Sequence, residues 1–205
     1  IFADKTVLKD IQGINDLLFN EVAAGIALSI AFVGILFVST TNSISATSIS
    51  REGENAYFMK YIPMPYEKQI ISKVLPGVIM GIIGMVLFLI TAMVLVSIPI
   101  YLLIYILISG LLGIVFVNLL GIIIDLNYPK LIWDNEQKAV KQNLNVIVSL
   151  ILTVAISIGI VYGTIRFGLA VWFVFALLVI CFGVLDVVLY YICRTVGVKL
   201  FEKIS

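Results

Sequence analysis

Two polar residues lie inside long apolar runs of the sequence, where their side chains have the most scope for chemistry. Asp186 is the one acidic or basic residue in the run 167–193, and Asn118 lies in the charge-free run 74–124. An acid buried in a membrane often marks a proton or ion pathway. Asp186 is also near the end of its run, where Arg194 follows two turns later, and we favour a structural pairing of the two. Asn118 is expected to form a hydrogen bond between helices.

The polar stretch 48–65 combines charged residues with aromatic ones. Tyr57, Phe58, Tyr61 and Ile62 have the spacing of one face of a short helix. The prolines that follow are expected to end this helix and to open the next one. An exposed aromatic face suits docking into a groove on a partner protein. Aromatic residues also gather at lipid headgroups, and composition alone leaves both interpretations open.

A second polar stretch, 125–143, carries the charged residues Asp134, Glu136, Lys138 and Lys141. Asp134 followed by Gln137 resembles a capping box and predicts a helix that begins there. We expect this helix to continue directly into the next apolar run, and we expect the two lysines to contact anionic lipids rather than a partner protein. The apolar residues that predict the continuation are Val140, Leu144, Ile147 and Ile151.

Composition excludes a water-soluble domain and argues against catalysis and metal binding by this chain. Of the 205 residues, 62% are hydrophobic and 12% are charged, whereas soluble domains carry about 25% charged residues. The sequence has no His, and we find no phosphate loop, metal-ligand cluster or acid–base pair. We therefore expect a chain that is not an enzyme and holds no metal or cofactor itself. A net charge of +1 does not favour nucleic-acid binding.

The apolar runs predict an all-α polytopic membrane helix bundle with five transmembrane helices in a single domain. The run 74–124 is too long for one crossing, and we expect it to fold back at Ser97-Ile98-Pro99 because proline does not continue a helix. The predicted spans are 22–44, 75–97, 100–124, 144–164 and 168–193. The predicted connections on one side are the loops 48–74 and 125–143 and the tail 194–205.

The distribution of Lys and Arg predicts the orientation of the bundle. Ten of the 13 Lys and Arg residues fall in the two loops and the tail, and the other side holds Lys5, Lys9 and Arg166. Cytoplasmic segments are enriched in Lys and Arg. The loops and the C-terminus are therefore expected to face the cytoplasm, in a multi-pass protein of the plasma membrane.

Residues 1–20 are predicted to form an amphipathic connector at the outer membrane surface. A chain that starts outside needs an earlier span to carry it there, and residues 1–20 do not have the pattern of a signal peptide. We therefore expect at least one further helix before this stretch, and an exposed groove beside the first span where that helix would pack.

Two pairs of glycines at four-residue spacing predict close contacts between helices. Gly77 and Gly81 lie in the second span, and Gly159 and Gly163 lie in the fourth. Small residues at this spacing let two helix backbones approach each other.

The loop sequence Ser50-Arg-Glu-Gly-Glu-Asn-Ala-Tyr-Phe-Met-Lys-Tyr-Ile-Pro-Met-Pro resembles the coupling loop of bacterial ABC-2-type exporter permeases. The second loop, from Asp125-Leu-Asn-Tyr-Pro-Lys to the fourth span, is also similar to that of a subgroup of these permeases. The resemblance covers about residues 25–195 and offers no catalytic motif. It implies a six-helix permease domain in which these five spans are helices two to six.

The resemblance further implies a separate ABC ATPase subunit that holds ATP and Mg, and a second permease half or protomer that completes the path. In such an arrangement Arg51 and Glu52 would fix the first loop and Gly53 would permit its turn. Tyr57, Phe58 and the neighbouring Tyr61 would contact the ATPase. The outer turn 163–167 departs from the family, because related permeases often have a larger outer element at this point.

Two functions outside this family remain open at the level of sequence. One is a membrane scaffold or immunity-type protein whose loop only recruits a partner. The other is an ion-coupled secondary transporter that uses Asp186. The sequence does not identify a substrate, because apolar helix walls suit lipids, peptides and drugs equally.

Overall fold

The computed structural model describes Leu18 and residues 20–204, and every regular element in this part of the chain is helical. The α-helices, in chain order, are α1 Glu21–Thr41, α2 Tyr66–Leu95, α3 Ile100–Asn127, α4 Glu136–Lys141, α5 Leu144–Phe167, α6 Val171–Ile192 and α7 Val198–Lys203. Two 3₁₀ segments, Ser45–Thr47 and Ser50–Tyr61, follow α1, and a π turn, Cys193–Gly197, joins α6 to α7. This architecture confirms the predicted all-α bundle.

The five long helices α1, α2, α3, α5 and α6 are long and apolar enough to cross a membrane. Helices satisfy their backbone hydrogen bonds internally, which the hydrocarbon core of a bilayer requires. Helices α2 and α5 bury little of their surface within the bundle and present apolar side chains outward. Such outward-facing apolar surface is expected in lipid and would be unfavourable in water.

Capping residues and prolines set the ends of these helices. The Asn20 side chain accepts a hydrogen bond from the Val22 backbone N–H at 2.9 Å and so caps α1. Pro99 stands immediately before α3, which confirms the predicted fold-back between the second and third spans. Helix α5 ends at Phe167, and the next residue, Gly168, caps it in a left-handed conformation with φ +55°. The predicted outer turn 163–167 is therefore wrong, because those residues form the last turn of α5.

Helix α1 packs against all four of the other long helices, and α3 packs against α6. Aromatic rings fill the centre of this arrangement. The ring of Phe182 lies edge-on to both Phe32 (4.8 Å between centroids) and Phe116 (5.0 Å). Edge-to-face contacts of this kind add to the stability that burial provides. The α1–α3–α6 contact is thus the apolar core of the bundle.

The two glycine pairs have different surroundings. A Cβ at Gly77 would collide with the side chains of Asn118 and Ser45, and one at Gly81 would lie 2.6 Å from Ile114 Cγ2. The close contact predicted for this pair is confirmed. Nothing lies within 4 Å of a Cβ built at Gly159 or at Gly163, so the contact predicted for that pair is wrong.

Both loops and the tail gather at one end of the bundle, which we call the loop end. It comprises residues 42–65, 128–143 and 193–204. Residues 1–17, which include most of the predicted outer connector, lie outside the described residues. An open groove of about 750 Å³ lies between α1 and α5, and the further helix expected before this stretch stays a prediction.

Candidate functional site

The 3₁₀ segment Ser50–Tyr61, which we call the loop helix, is the most distinctive element of the loop end. It is broken at Gly53, whose backbone has φ +55° and ψ −136°, a conformation that is largely restricted to glycine. A Cβ at Gly53 would also lie 2.8 Å from the Trp133 ring. The predicted turn at Gly53 is confirmed, and the turn divides the loop helix into two parts.

The second part of the loop helix exposes the predicted aromatic face. Tyr57 and Phe58 are 44% and 53% exposed and stack on each other with 4.2 Å between ring centroids. Tyr61, which is 78% exposed, approaches the Tyr57 ring edge-on at 6.4 Å. The opposite face buries Ala56 and Met59 in a cluster that contains residues of α2, α3 and α7. The loop helix therefore has an anchored apolar face and a free aromatic face.

The base of the loop helix is held by Asp125, near the end of α3. One carboxylate oxygen accepts hydrogen bonds from the backbone N–H groups of Ile49 (2.7 Å) and Ser50 (3.1 Å). The other oxygen accepts from the Ser50 hydroxyl and from the Asn145 side-chain amide, the latter at 2.9 Å. Asp125 is fully buried. A single carboxylate thus joins the first loop to α3 and α5.

Sequence reasoning missed Asp125 as a site residue. The sequence position of Asp125 could have indicated this role, because it is the first charged residue after a long apolar run and so lies where α3 meets the loops.

Ser50 extends the same network, since its hydroxyl accepts from the Lys130 backbone N–H at 2.9 Å and its carbonyl accepts from the Trp133 indole at 2.9 Å. Both polar stretches of the sequence therefore meet at Ser50.

Charged side chains of the loop helix also contact other elements. Glu52 forms an ion pair with Lys73 of α2. Arg51 donates to the Ile44 carbonyl at 3.2 Å, and Lys60 donates to the Glu202 carbonyl at 3.0 Å. Ion pairs at a protein surface contribute little stability singly. The value of these three contacts is positional, because they tie the loop helix to α2, to the segment that follows α1 and to α7.

The second loop differs from its prediction at both ends of α4. The N-cap is Asn135, whose side chain accepts from the Gln137 N–H at 3.0 Å. Asp134, predicted to cap, instead forms an ion pair with Lys138 at 2.7 Å, one helical turn away. The predicted capping box is therefore wrong by one residue. Asn and Asp cap equally well, and the local backbone decides between neighbours.

The predicted continuous helix through the second loop is also wrong. Helix α4 ends at Lys141, and α5 begins at Leu144 with Asn143 as a separate N-cap. The Lys130 ammonium donates to the backbone carbonyls of Lys138 (3.2 Å) and Gln142 (3.0 Å). The last carbonyls of a helix have no partner within it, and Lys130 supplies a donor for those at the end of α4. Lys138 and Lys141 are both exposed, and the side chain of Glu136 lies outside what the structure describes.

Asn118 forms the interhelical bonds predicted for it. Its amide nitrogen donates to the Ser39 hydroxyl of α1 at 3.2 Å, and its carbonyl oxygen accepts from Ser45 at 2.7 Å. Gly77 of α2 makes room for this cluster, since any side chain there would meet it. Asn118 is thus a packing residue that links α3 to α1 and to the segment after it.

Asp186 does not make the pairing predicted for it. Arg194 instead forms an ion pair with Glu67 of α2 at 2.8 Å. Asp186 is only 8% exposed, and within the described part of the chain neither of its carboxylate oxygens accepts a hydrogen bond. The predicted partner is too distant, because eight helical residues correspond to a rise of about 12 Å.

The Asp125 carboxylate, the Ser50 hydroxyl and the Asn118 amide are all engaged in structural hydrogen bonds. Among the described residues, no group of three or more Cys, Asp or Glu side chains has the geometry to hold a metal ion. The two cysteines are both free; Cys181 is exposed and Cys193 is buried. What the loop end offers is an exposed aromatic surface on a firmly attached support.

Comparison with known proteins identifies no relative. No protein-family model matches the chain, and no match was found among curated proteins or among solved structures.

Proposed function

We propose that this chain is the membrane-spanning permease part of an ATP-driven ABC exporter and that the stretch 50–65 couples it to a separate ATPase subunit. The observation that supports this proposal best is the combination found in the loop helix. Its aromatic residues are free, while its base is bonded to several membrane helices. Exposed aromatic side chains often act as the anchors of a protein interface.

The contacts of the loop helix give a physical route for coupling. A partner that displaced the aromatic face would pull on α3 through Asp125 and on α2 through the Glu52–Lys73 ion pair. It would pull on α5 through Asn145, which shares the Asp125 carboxylate. Tightly packed and hydrogen-bonded elements transmit such displacements because they do not deform continuously. Movement of the loop helix would thus change the arrangement of three spans.

The charge of the loop end favours one side of one membrane. The excess of Lys and Arg at the loop end favours a cytoplasmic position in the plasma membrane, where an ATPase with its ATP and Mg would be available. A second permease half or protomer would enclose the path together with this chain. Lys138 and Lys141 are exposed at the loop end and are suited to anionic lipid headgroups.

The aromatic pair provides the test of this function. Replacing Tyr57 and Phe58 together by Ala should remove contacts worth about 2 kcal/mol or more each if both are interface anchors. The variant should still insert and fold, because both side chains are exposed. We expect it to lose co-purification with an ABC ATPase produced together with this chain, or to lose substrate-stimulated ATP hydrolysis.

Tyr128→Ala is the matched control, because Tyr128 is an exposed aromatic residue at the same end of the bundle. It should bind and stimulate the ATPase as the unchanged chain does. Normal ATPase binding and stimulation by the double variant would place Tyr57 and Phe58 in lipid headgroups and would refute the coupling role.

Two alternatives make different predictions in the same assays. A scaffold or immunity-type protein would retain a partner through the loop helix without stimulating ATP hydrolysis. An ion-coupled secondary transporter is favoured by one observation, the buried Asp186 carboxylate, which has no hydrogen-bond partner in the part of the chain that the structure describes. In that case transport would depend on an ion gradient and not on the loop helix.

A further inference from the structure

An apolar groove with one carboxylate lies between α2, α3 and α6. Its volume is about 380 Å³, and Asp186 is the one charged residue among the described residues that line it. The other lining side chains include Leu75, Val78, Val115, Leu119, Val187 and Tyr190. We propose that this groove binds a small lipophilic monovalent cation, whose charge pairs with Asp186 and whose apolar body lies against these side chains.

The surroundings of the Asp186 carboxylate indicate which ligand charge the groove favours. Both oxygens are buried and have no hydrogen-bond donor among the described residues, and Arg194 at the loop end is paired with Glu67. An ionised carboxylate in apolar surroundings is unfavourable unless a cation pairs with it, and without a cation it takes up a proton. A cation in the groove removes that cost, a neutral molecule leaves it in place, and an anion increases it. Charge complementarity therefore selects a cationic ligand.

The dimensions of the groove give the size of the ligand. Along α2 the groove runs from Ile71 to Val78, seven residues, which corresponds to about 10 Å. Its volume is near the lower limit of ligand pockets, which range from about 300 to 1,000 Å³. A transmembrane helix of a partner needs a groove about three times as long to pack along its whole span. The groove is therefore suited to a small molecule.

The depth of Asp186 distinguishes a dissolved lipophilic cation from a lipid headgroup. The Arg194–Glu67 ion pair lies at the loop end, and Asp186 lies about 12 Å further into the bundle along α6. A phospholipid amine stays at the headgroup level, because its charge is costly to move into the hydrocarbon region. A cation with an apolar body can reach this depth. This inference does not rest on the proposed exporter function, since binding requires neither the loop helix nor an ATPase.

The test is a fluorescence titration of the full chain in phosphatidylcholine nanodiscs. Ethidium is the apolar cationic probe, and anilinonaphthalene sulfonate is the anionic comparison. We expect saturable ethidium binding that weakens about tenfold or more in Asp186→Asn and is largely kept in Asp186→Glu. Val184→Asn, on the exposed face of the same helix, is the control and should bind as the unchanged chain does.

A second variant keeps the test decisive if Asp186→Asn is not monodisperse. Leu75→Trp retains the carboxylate but fills part of the groove, and it should also weaken ethidium binding. The proposal is overturned if Asp186→Asn or Leu75→Trp binds ethidium as the unchanged chain does, or if the sulfonate binds equally well. Displacement of ethidium by phosphatidylethanolamine would identify a lipid site instead and would overturn it as well.

Discussion

At the scale of single residues, two aspartates in apolar helices have opposite environments. Asp125 accepts four hydrogen bonds from three residues, whereas Asp186 accepts none within the described part of the chain. A buried carboxylate with several donors stabilises the elements that supply them. An ionised carboxylate without donors lowers the stability of the fold unless a cation pairs with it or it takes up a proton. Asp125 is thus a structural residue, and Asp186 is available for binding.

Removal of the Asp125 carboxylate should destabilise the bundle. Asp125→Ala leaves the backbone N–H groups of Ile49 and Ser50 buried without an acceptor, and we expect the free energy of unfolding to fall by about 3 kcal/mol. Unfolding in mixed micelles with increasing dodecyl sulfate would measure this change. Asp134→Ala, which breaks an exposed ion pair, is the control and should cost less than about 0.5 kcal/mol. Equal losses in the two variants would contradict the role of Asp125.

At the scale of the elements, local signals predicted much of the fold but not the contacts between its parts. Apolar runs and Pro99 predicted the spans and the fold-back, because chain length in a bilayer and the missing proline N–H act locally. The aromatic spacing predicted the exposed face of the loop helix. The cap of α4, its break before α5 and the pairing of Arg194 were predicted wrongly, because neighbouring elements compete for the same polar groups.

The two glycine pairs show most clearly that sequence spacing alone does not predict the contacts between helices, and they allow a direct test. Both pairs have the same spacing, yet only Gly77 and Gly81 face a neighbouring helix closely. Gly77→Ala would push a methyl group into Asn118 and Ser45, and we expect a loss of about 2 kcal/mol in unfolding free energy.

Gly159→Ala serves as the matched control for Gly77→Ala in the same unfolding measurement. A Cβ at Gly159 meets nothing within 4 Å, and Ala is the better helix former, so stability should be unchanged or rise by up to about 1 kcal/mol. A similar loss in both variants would show that the contact at Gly77 is not specific.

At the scale of the whole molecule, five spans place both loops and the tail on one side. Labelling of single cysteines with a membrane-impermeant reagent tests the side, in a background without Cys181 and Cys193. Cysteines at Tyr61 and Gln137, which are both exposed, should react only after the cells are permeabilised. A cysteine at Arg166 should react in intact cells. The reverse pattern would invert the proposed orientation.

The most direct test of the coupling account is photo-crosslinking from the loop helix in cells that also produce the ABC ATPase proposed as its partner. A photoreactive phenylalanine analogue at Phe58 should crosslink to the ATPase, because the Phe58 ring is exposed next to Tyr57. The same analogue at Leu87, on the outer apolar surface of α2, should crosslink to lipid alone. Crosslinks from Phe58 that contain lipid and no ATPase would contradict the account.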